Sequence, residues 1–399
     1  MLSAVVWARQ GAEGRRPGAL DEEGSSSRKD DEDHAEDDEE DELPPGVGVS
    51  EREHNTDAHV LETEDDEEED VRIHDPDLVL LGLKADQNDE HLLLQFVYEP
   101  EDDRGPPNIF PHHEVPLAAF PLCAEWLPGA HGTVGTHAAA VGSANSSIEI
   151  FDMDILDTVE PSCFLEPAHD GGTMALAWNS RKAHVLASGG ADFCCKLWDI
   201  EQGSLQQTLS QHSGKVQALD WSRAEPSVLL SASFDQSARV VDARAPSSLS
   251  MCIANLPADA EDAIWDSANP SEAFVSSEDG SVLKLDARAS GKGPLWSLTA
   301  HESTACTALC TPPAAPGMLL TASYDGSMKV WDCRGGSVPE LVLEPAVRIG
   351  ALFALSVAGE EGSAGCMVAA AGANGEPAII DLKAFDEVTK RWSLVNESG

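Results

Sequence analysis

The segment Asp325-Gly-Ser-Met-Lys-Val-Trp-Asp332 has a form that five other segments of the chain share. Each begins at an Asp or Asn and ends, seven residues later, in an Asp that follows an apolar residue. The six segments are 145–152, 192–199, 235–242, 279–286, 325–332 and 374–381. Apolar and polar residues tend to alternate within them, which is the period of a β-strand. Their closing Asp residues are 47, 43, 44, 46 and 49 residues apart, which indicates a repeated unit.

Two further landmarks precede these segments at nearly constant distances. Trp178, Trp221 and Trp265 each stand 14 residues before the Asp that opens the segment, and Cys310 stands 15 before its own. A histidine lies nine residues before three of these four markers, at positions 169, 212 and 301. Three landmarks that recur together at about 45 residues are typical of the four-stranded blade of a WD-repeat β-propeller. The sequence therefore predicts an all-β fold.

A seventh blade is predicted at the N-terminus. Residues 78–84 and 91–98 form apolar-rich strands around a turn at 85–89, although this hairpin lacks the closing Asp. Trp7 follows two valines and is similar to the Ala-Trp and Asp-Trp strand ends of later blades. The marker series then becomes Trp7, Trp126, Trp178, Trp221, Trp265, Cys310 and Ser356. This explains why nine of the 21 aromatic residues are Trp, and it predicts a seven-bladed propeller.

The charge is concentrated in one segment. Residues 21–70 hold 25 acidic and three basic side chains, which is about half of the formal net charge of −46. Charge repulsion and few large apolar groups predict that this segment is disordered. We therefore predict four parts, in which residue 7 marks blade one and the acidic segment is inserted within that blade. They are an N-terminal strand at 1–19, a disordered acidic insert at 20–71, the propeller at 72–395 and a tail at 396–399.

The landmark residues predict buried hydrogen-bonded chains that link imidazole, carboxylate, hydroxyl and indole groups. One consists of His169, Ser188, Asp192 and Trp198, and a second of His301, Thr321, Asp325 and Trp331. A third consists of His212, Ser231 and Asp235, where Val241 replaces the tryptophan. A Ser/His/Asp set also suggests a hydrolase, but no G-x-S-x-G elbow accompanies it and it repeats once per blade. We therefore interpret these residues as structural.

Composition and motifs exclude several functional classes. A chain this acidic is repelled by phosphate backbones, so we expect no bulk binding to nucleic acid and no docking on a membrane. The apolar start is too short for a secretory signal, and no run of 18 apolar residues occurs. The nine cysteines lack a pairing or zinc pattern, which predicts reduced thiols. With no nucleotide or metal motif, we expect no cofactor and no enzymatic activity.

Several stretches resemble a particular family of WD-repeat proteins. The most specific is 148–161, because generic WD repeats do not share it, and the others are 6–9, 111–114, 120–127 and 350–353. Through them the chain resembles the periodic tryptophan protein 1 family of the nucleolus. The resemblance implies a nuclear, nucleolar scaffold for large-subunit precursor assembly and ribosomal RNA processing, with chromatin contacts in some members. Implied partners are pre-ribosomal assembly factors and basic clients such as ribosomal proteins or histones.

Two other functions remain open from the sequence. Three successive blades close with Asp-x-Arg, and the arginines are Arg244, Arg288 and Arg334. This resembles the W-D-x-R boxes of substrate receptors of cullin-type ubiquitin ligases, although Trp331 gives the only full box. The alternative for each arginine is a local pair with its neighbouring Asp. A histone-binding propeller that uses the acidic segment for basic tails is the other possibility.

Overall fold

The structure is a computed structural model that describes residues 1–7, 73, 77–85, 90–101, 106–128, 137–155, 159–245, 250–289, 292–335, 338–359 and 366–394. The described residues all belong to one unit, which comprises Met1–Gly18 and Ile73–Gly399. The predicted acidic insert at 20–71 and the predicted tail at 396–399 lie outside the described residues. No helix among the described residues is long and apolar enough to cross a membrane.

Seven antiparallel sheets form the blades of the propeller, as the repeat predicted. Blade one contains β1 (Leu2–Trp7), β2 (Leu78–Ala85), β3 (His91–Glu99) and β4 (Asn108–Pro116). Blade two contains β5 (Pro121–Pro128), β6 (His137–Ser143), β7 (Ile148–Asp152) and β8 (Cys163–Leu165). Blade three contains β9 (Thr173–Trp178), β10 (Val185–Gly190), β11 (Cys195–Asp199) and β12 (Ser204–Leu209). Blade four contains β13 (Val216–Trp221), β14 (Val228–Ser233), β15 (Ser237–Asp242) and β16 (Ser250–Asn255).

The remaining blades follow the same order. Blade five contains β17 (Ala260–Trp265), β18 (Glu272–Ser277), β19 (Ser281–Asp286) and β20 (Trp296–Thr299). Blade six contains β21 (Cys306–Cys310), β22 (Met318–Ser323), β23 (Met328–Asp332) and β24 (Glu340–Leu343). Blade seven has three strands among the described residues, β25 (Leu352–Val357), β26 (Met367–Gly372) and β27 (Ala378–Asp381). A short 3-10 helix (Leu382–Ala384) and the helix α1 (Asp386–Trp392) come after β27.

The first strand of each blade is innermost and contacts the first strands of both neighbouring blades, which closes the ring. We name the four strand positions a to d, from innermost to outermost. Because the strands of a blade are antiparallel, the a–b and c–d connections lie on one face of the ring, which we name the lower face. The b–c and d–a connections lie on the opposite, upper face. The closing Asp residues of the repeat end the c strands, at the lower face.

Three of the tryptophan markers, Trp7, Trp221 and Trp265, end a strands and fasten neighbouring blades to each other. The indole Nε1 of Trp221 donates to the backbone oxygen of Ala177 in the preceding blade, at 3.0 Å. Trp265 donates in the same way to the backbone oxygen of Asp220, also at 3.0 Å. Trp7 donates to the backbone oxygen of Ser356, at 3.1 Å, and so joins the first blade to the last. These three indoles thus satisfy polar groups at blade interfaces, whereas the indole of Trp178 donates to Ala183 of its own blade.

The hydrophobic core lies between the blades. The b strands combine small residues with larger apolar ones, because a and c strands flank them and the next blade packs on their faces. Gly189 in β10 shows how close this packing is, since a Cβ there would lie 2.7 Å from Cγ1 of Val216 in blade four. At the end of the chain, Val388 of α1 is fully buried in a cluster shared by blades six and seven.

Candidate functional site

In blade three the structure brings the four predicted residues together. His169 lies with its Nδ1 2.8 Å from Oδ1 of Asp192 and its Nε2 2.7 Å from Oγ of Ser188. The indole of Trp198 donates to the same Oγ, at 2.9 Å. The Ser188 hydroxyl therefore accepts from the indole and donates to Nε2, which leaves the imidazole proton on Nδ1, facing the carboxylate. The imidazole of His169, the hydroxyl of Ser188 and the indole of Trp198 therefore all have hydrogen-bond partners.

The environment holds this histidine neutral. Burial lowers the pKa of His169 below its ordinary value, although the carboxylate of Asp192 acts in the opposite direction. The hydroxyl of Ser188 resembles the nucleophile of a hydrolase in its partners, but the residue has no solvent-exposed surface. A substrate would have to enter the core of the blade to meet it. The geometry is therefore that of a structural network and not of a catalytic triad.

In blade four the hydrogen-bonded set has one member fewer, because Val241 stands in place of the tryptophan. His212 contacts Oδ2 of Asp235 at 3.0 Å and Oγ of Ser231 at 2.9 Å. Val241 packs in the core where an indole would stand and offers no donor to Ser231. The hydroxyl of Ser237 adds a bond to Asp235, at 2.6 Å. Burial again lowers the pKa of the histidine.

In blade six the structure departs from the predicted chain. His301 contacts Oγ1 of Thr321 through Nε2 at 2.9 Å, and the indole of Trp331 donates to the same oxygen at 3.1 Å. However, Nδ1 of His301 lies 2.9 Å from the hydroxyl of Ser327. Its distance to the carboxylate of Asp325 is 3.7 Å, which is too long for a hydrogen bond.

Blade six differs from blade three in two hydroxyl groups, that of Ser327 on the histidine and that of Thr304 on the carboxylate. Asp325 accepts from the backbone N–H of Ser327, at 2.8 Å, and from the hydroxyl of Thr304, at 3.2 Å. Burial lowers the pKa of His301 to about 4 and the positive charge of Lys329 contributes, although Asp325 acts in the opposite direction. The two blades share the His, Asp and Trp landmarks, and the partner of His301, Ser327, stands where blade three has Cys194.

The three Asp-x-Arg ends lie at the lower face, where each arginine pairs with its own Asp. Arg244 donates from Nε and Nη2 to Asp242, and Arg288 donates in the same way to Asp286. These bonds lower the pKa of both carboxyl groups. The side chains of Arg244 and Arg288 remain 66% and 72% exposed, so both guanidinium groups are accessible to a partner.

The third arginine is partly covered by the helix α1, and its side chain is 43% exposed. Arg334 pairs with Asp332, and its guanidinium carbon lies 4.7 Å from the ring centroid of Trp392. Arg391 of the same helix donates from Nε to Asp332, at 2.6 Å. In the one full W-D-x-R box, Asp332 and Arg334 therefore both have partners in α1, and part of the Arg334 side chain remains open to solvent. Sequence reasoning missed this helix, although the acidic residues of its first turn and the basic residues of its last turn are typical helix-end signals.

The upper face carries an acidic group at blade five. Burial raises the pKa of Glu261 to about 7, and the nearby carboxylates of Glu278, Asp262 and Asp259 add to the effect. Burial also raises the pKa of Asp262 to about 6, although this carboxylate accepts from the backbone N–H of Leu309 in blade six at 2.8 Å. The described residues contain no group of three or more His, Cys, Asp or Glu placed to hold a metal ion.

Comparison with known proteins agrees with the repeat. The WD domain, G-beta repeat, matches residues 161–199, 203–242 and 292–332. Each match begins near a d strand and ends at the Asp that closes the next c strand.

The chain is also similar to longer relatives. It is 31% identical over 370 residues to an uncharacterised WD repeat-containing protein of Schizosaccharomyces pombe, over 84% of this chain and 69% of that protein. It is 28% identical over 289 residues to the periodic tryptophan protein 1 homolog of Drosophila melanogaster, over 69% and 61% of the two chains. It is 29% identical over 312 residues to periodic tryptophan protein 1 of Saccharomyces cerevisiae, over 68% of this chain and 54% of that protein.

The chain belongs to the periodic tryptophan protein 1 family. Its aligned part spans between about half and two thirds of the length of these relatives. Membership in this family, together with the seven-bladed fold, characterises the chain as a WD-repeat scaffold. Propellers of this kind serve as platforms for protein partners.

Proposed function

We propose that the chain is a non-enzymatic scaffold of ribosome biogenesis that acts in the nucleolus, in large-subunit precursor assembly and ribosomal RNA processing. Membership in the periodic tryptophan protein 1 family is the observation that carries this proposal. The proposal includes contacts with chromatin or histones, which would depend on an affinity of the chain for basic proteins. In this role the propeller holds partners in place, and the chemistry belongs to the partners.

Charge identifies the class of client that such a scaffold would hold. The acidic segment 21–70 contributes a large part of the net charge of −46, and the upper face adds the carboxylates around Glu261. Ribosomal proteins and histones are strongly basic, so a field of this sign would steer them to the chain and would be weakened by salt. Pre-ribosomal assembly factors would bind the propeller faces.

Affinity purification followed by mass spectrometry tests the proposal. The full chain is compared with a deletion of residues 21–70 and with a length-matched variant in which the Asp and Glu of that segment become Asn and Gln. We expect large-subunit assembly factors with all three chains, and ribosomal proteins with the full chain alone. Recovery of core histones without assembly factors would favour the histone-binding reading. Recovery of neither group would contradict the proposal.

A substrate receptor of a cullin-type ubiquitin ligase is the second candidate. The side chain of Arg288 at the lower face is 72% exposed and favours it, whereas Arg334 is 43% exposed and partly covered by Trp392. If the reading is correct, Arg288→Glu should abolish co-precipitation of the adaptor propeller, and Lys292→Glu on the same connection should leave it unchanged. Equal recovery of the adaptor with both variants would exclude a role for this blade end.

A further inference from the structure

A cavity of about 280 Å³ opens at the lower face between blades three and four. One wall comes from the a–b connection and the d strand of blade three, and the other from the a–b and c–d connections of blade four. Small-molecule pockets are usually about 300–1,000 Å³, so this cavity is of a size for a single amino-acid side chain. The function proposed above does not use it.

Three side chains hold the two walls at a fixed separation. Asn179 of blade three donates from Nδ2 to the backbone oxygen of Pro226 in blade four, at 2.7 Å. Lys182 donates from Nζ to the hydroxyl of Ser227, at 3.0 Å. Gln207 donates from Nε2 to the backbone oxygen of Ala245, at 3.3 Å. These bonds all cross from one blade to the next, so the cavity is formed before any ligand enters it.

The base of the cavity is apolar. Leu197 and Trp198 of β11 and Trp221 of β13 line it, and all three are buried in the core. Val185 and Ala243 extend the apolar surface toward the opening. A water-exposed cavity with such a base favours an apolar side chain of a ligand, because binding removes apolar surface from water on both sides.

The opening is lined by hydrogen-bond donors. Lys182 gives one of its three ammonium protons to Ser227, and within the described residues the bonds of Arg244 to Asp242 use Nε and Nη2. The amides of Gln206 and Gln207 lie beside them. Such a set matches carboxylate oxygens, which only accept.

The lining of the cavity contains two charged side chains, Lys182 and Arg244, and both are basic. Arg181 lies on the same connection as Lys182, and Arg223 lies on the a–b connection of blade four. Asp242 is paired with Arg244, and Glu225 also acts on that arginine. Arg181 and Arg223 are offset by Asp199 and Glu201, at the lower end of β11 and on the connection that follows it. The attraction for an acidic ligand therefore comes from the two cations of the lining itself.

We propose that this cavity binds a peptide segment of a partner protein in which one apolar side chain is flanked by carboxylate side chains. The apolar side chain enters between Leu197 and Trp221, and the carboxylates accept hydrogen bonds from Lys182 and Arg244. The site would give the scaffold an acidic class of partner in addition to the basic clients proposed above. It does not depend on the acidic segment or on a role in ribosome biogenesis.

Methyl NMR of the full chain tests the proposal, with the blocked pentapeptide Glu-Asp-Leu-Asp-Glu as the probe. We expect saturable shifts of the methyl groups of Val185 and Leu197, and about tenfold weaker binding by Lys182→Glu and by Arg244→Glu. Lys292→Glu changes the charge of an exposed lysine on the lower face of blade five and should bind like the unchanged chain. Arg244→Gln separates loss of charge from charge reversal and should show an intermediate affinity.

Three results would overturn the proposal. The first is the absence of saturable shifts at the two methyl groups in the unchanged chain. The second is equal affinity for a pentapeptide in which lysines replace the four acidic residues, since charge would then play no part. The third is a stronger shift of the same methyl groups by a short oligouridine than by the acidic peptide, because the cavity would then be a site for RNA.

Discussion

At the scale of single residues, the difference between Asp192 and Asp325 can be measured. Asp192 contacts the imidazole of a buried histidine directly, whereas Asp325 lies 3.7 Å from its histidine. Asp192→Ala leaves a buried Nδ1–H without a partner, and we expect the free energy of unfolding to fall by about 1–3 kcal/mol. Asp325→Ala loses only turn contacts and should cost less. Equal losses in urea denaturation of the two variants would contradict the difference between the blades.

Glu261 gives a prediction about pH. Its pKa is raised to about 7 in the folded chain from an ordinary value of 4.5. The folded state therefore holds the proton more tightly than the unfolded state, so this group lowers the stability as pH rises from about 4.5 to about 7, and the cost stays constant above that. Because solvent partly screens the group, we expect Glu261→Gln to stabilise the chain at pH 8 by about 1–2 kcal/mol.

The comparison at two pH values isolates this effect. The gain from Glu261→Gln should nearly vanish at pH 5, where the folded chain already carries the proton. Glu302→Gln removes the same formal charge from an exposed position on the upper face and serves as the control. Chemical denaturation at pH 5 and pH 8 gives the four differences in free energy. A gain that is the same at both pH values, or that the control reproduces, would exclude the burial of Glu261 as its cause.

At the scale of elements, the b and c strands were predictable and the d strands were not. A b–c hairpin contains the turn Asp or Asn, the alternating strand and the closing Asp, so it carries a pattern that recurs in six of the blades. A d strand has one edge in water and shares no landmark. β12 (Ser204–Leu209) and β8 (Cys163–Leu165), for example, have little in common. The helix α1 was missed because it lies after the last repeat.

The strand β1 closes the ring, and its removal should be costly. The side chain of Trp7 is buried, its indole donates to the backbone of Ser356, and its backbone N–H donates to the Ser356 hydroxyl at 3.2 Å. Trp7→Ala removes a large buried side chain and an inter-blade bond, so we expect a loss of about 3–5 kcal/mol. Ser356→Ala loses only the hydroxyl contact and should cost about 1 kcal/mol. A melting temperature of Trp7→Ala equal to that of the unchanged chain would show that β1 does not close the ring.

At the scale of the whole molecule, the sequence predicted the fold better than the surfaces. The histidine chains lie within single blades, so a repeat of about 45 residues places their members together. The cavity between blades three and four combines Lys182, Gln207 and Arg244, which come from two blades and share no motif. The helix over Arg334 likewise joins residues that are far apart in sequence. Such sites depend on how blades and ends pack, which a pattern within one repeat does not specify.

The net charge of −46 predicts a dependence of stability on salt. Like charges repel more strongly in the compact state than in the extended chain, and salt weakens this repulsion as the Debye length falls from about 30 Å at 0.01 M to about 3 Å at 1 M. We therefore expect the melting temperature of the full chain to rise as NaCl is added between these limits. The acidic segment is joined to blade one at both ends, so its charges take part.

The length-matched variant with Asn and Gln in place of Asp and Glu at 21–70 separates charge from chain length. It keeps the same number of residues between β1 and β2, whereas a deletion would also change the chain length that joins these strands. We expect the variant to melt at a higher temperature than the unchanged chain in low salt, and its melting temperature to rise less on addition of NaCl. Scanning calorimetry of both chains at four NaCl concentrations measures the two slopes. Parallel slopes would mean that the acidic segment exerts no repulsion on the propeller, and its role in steering basic clients would then have to be independent of the folded blades.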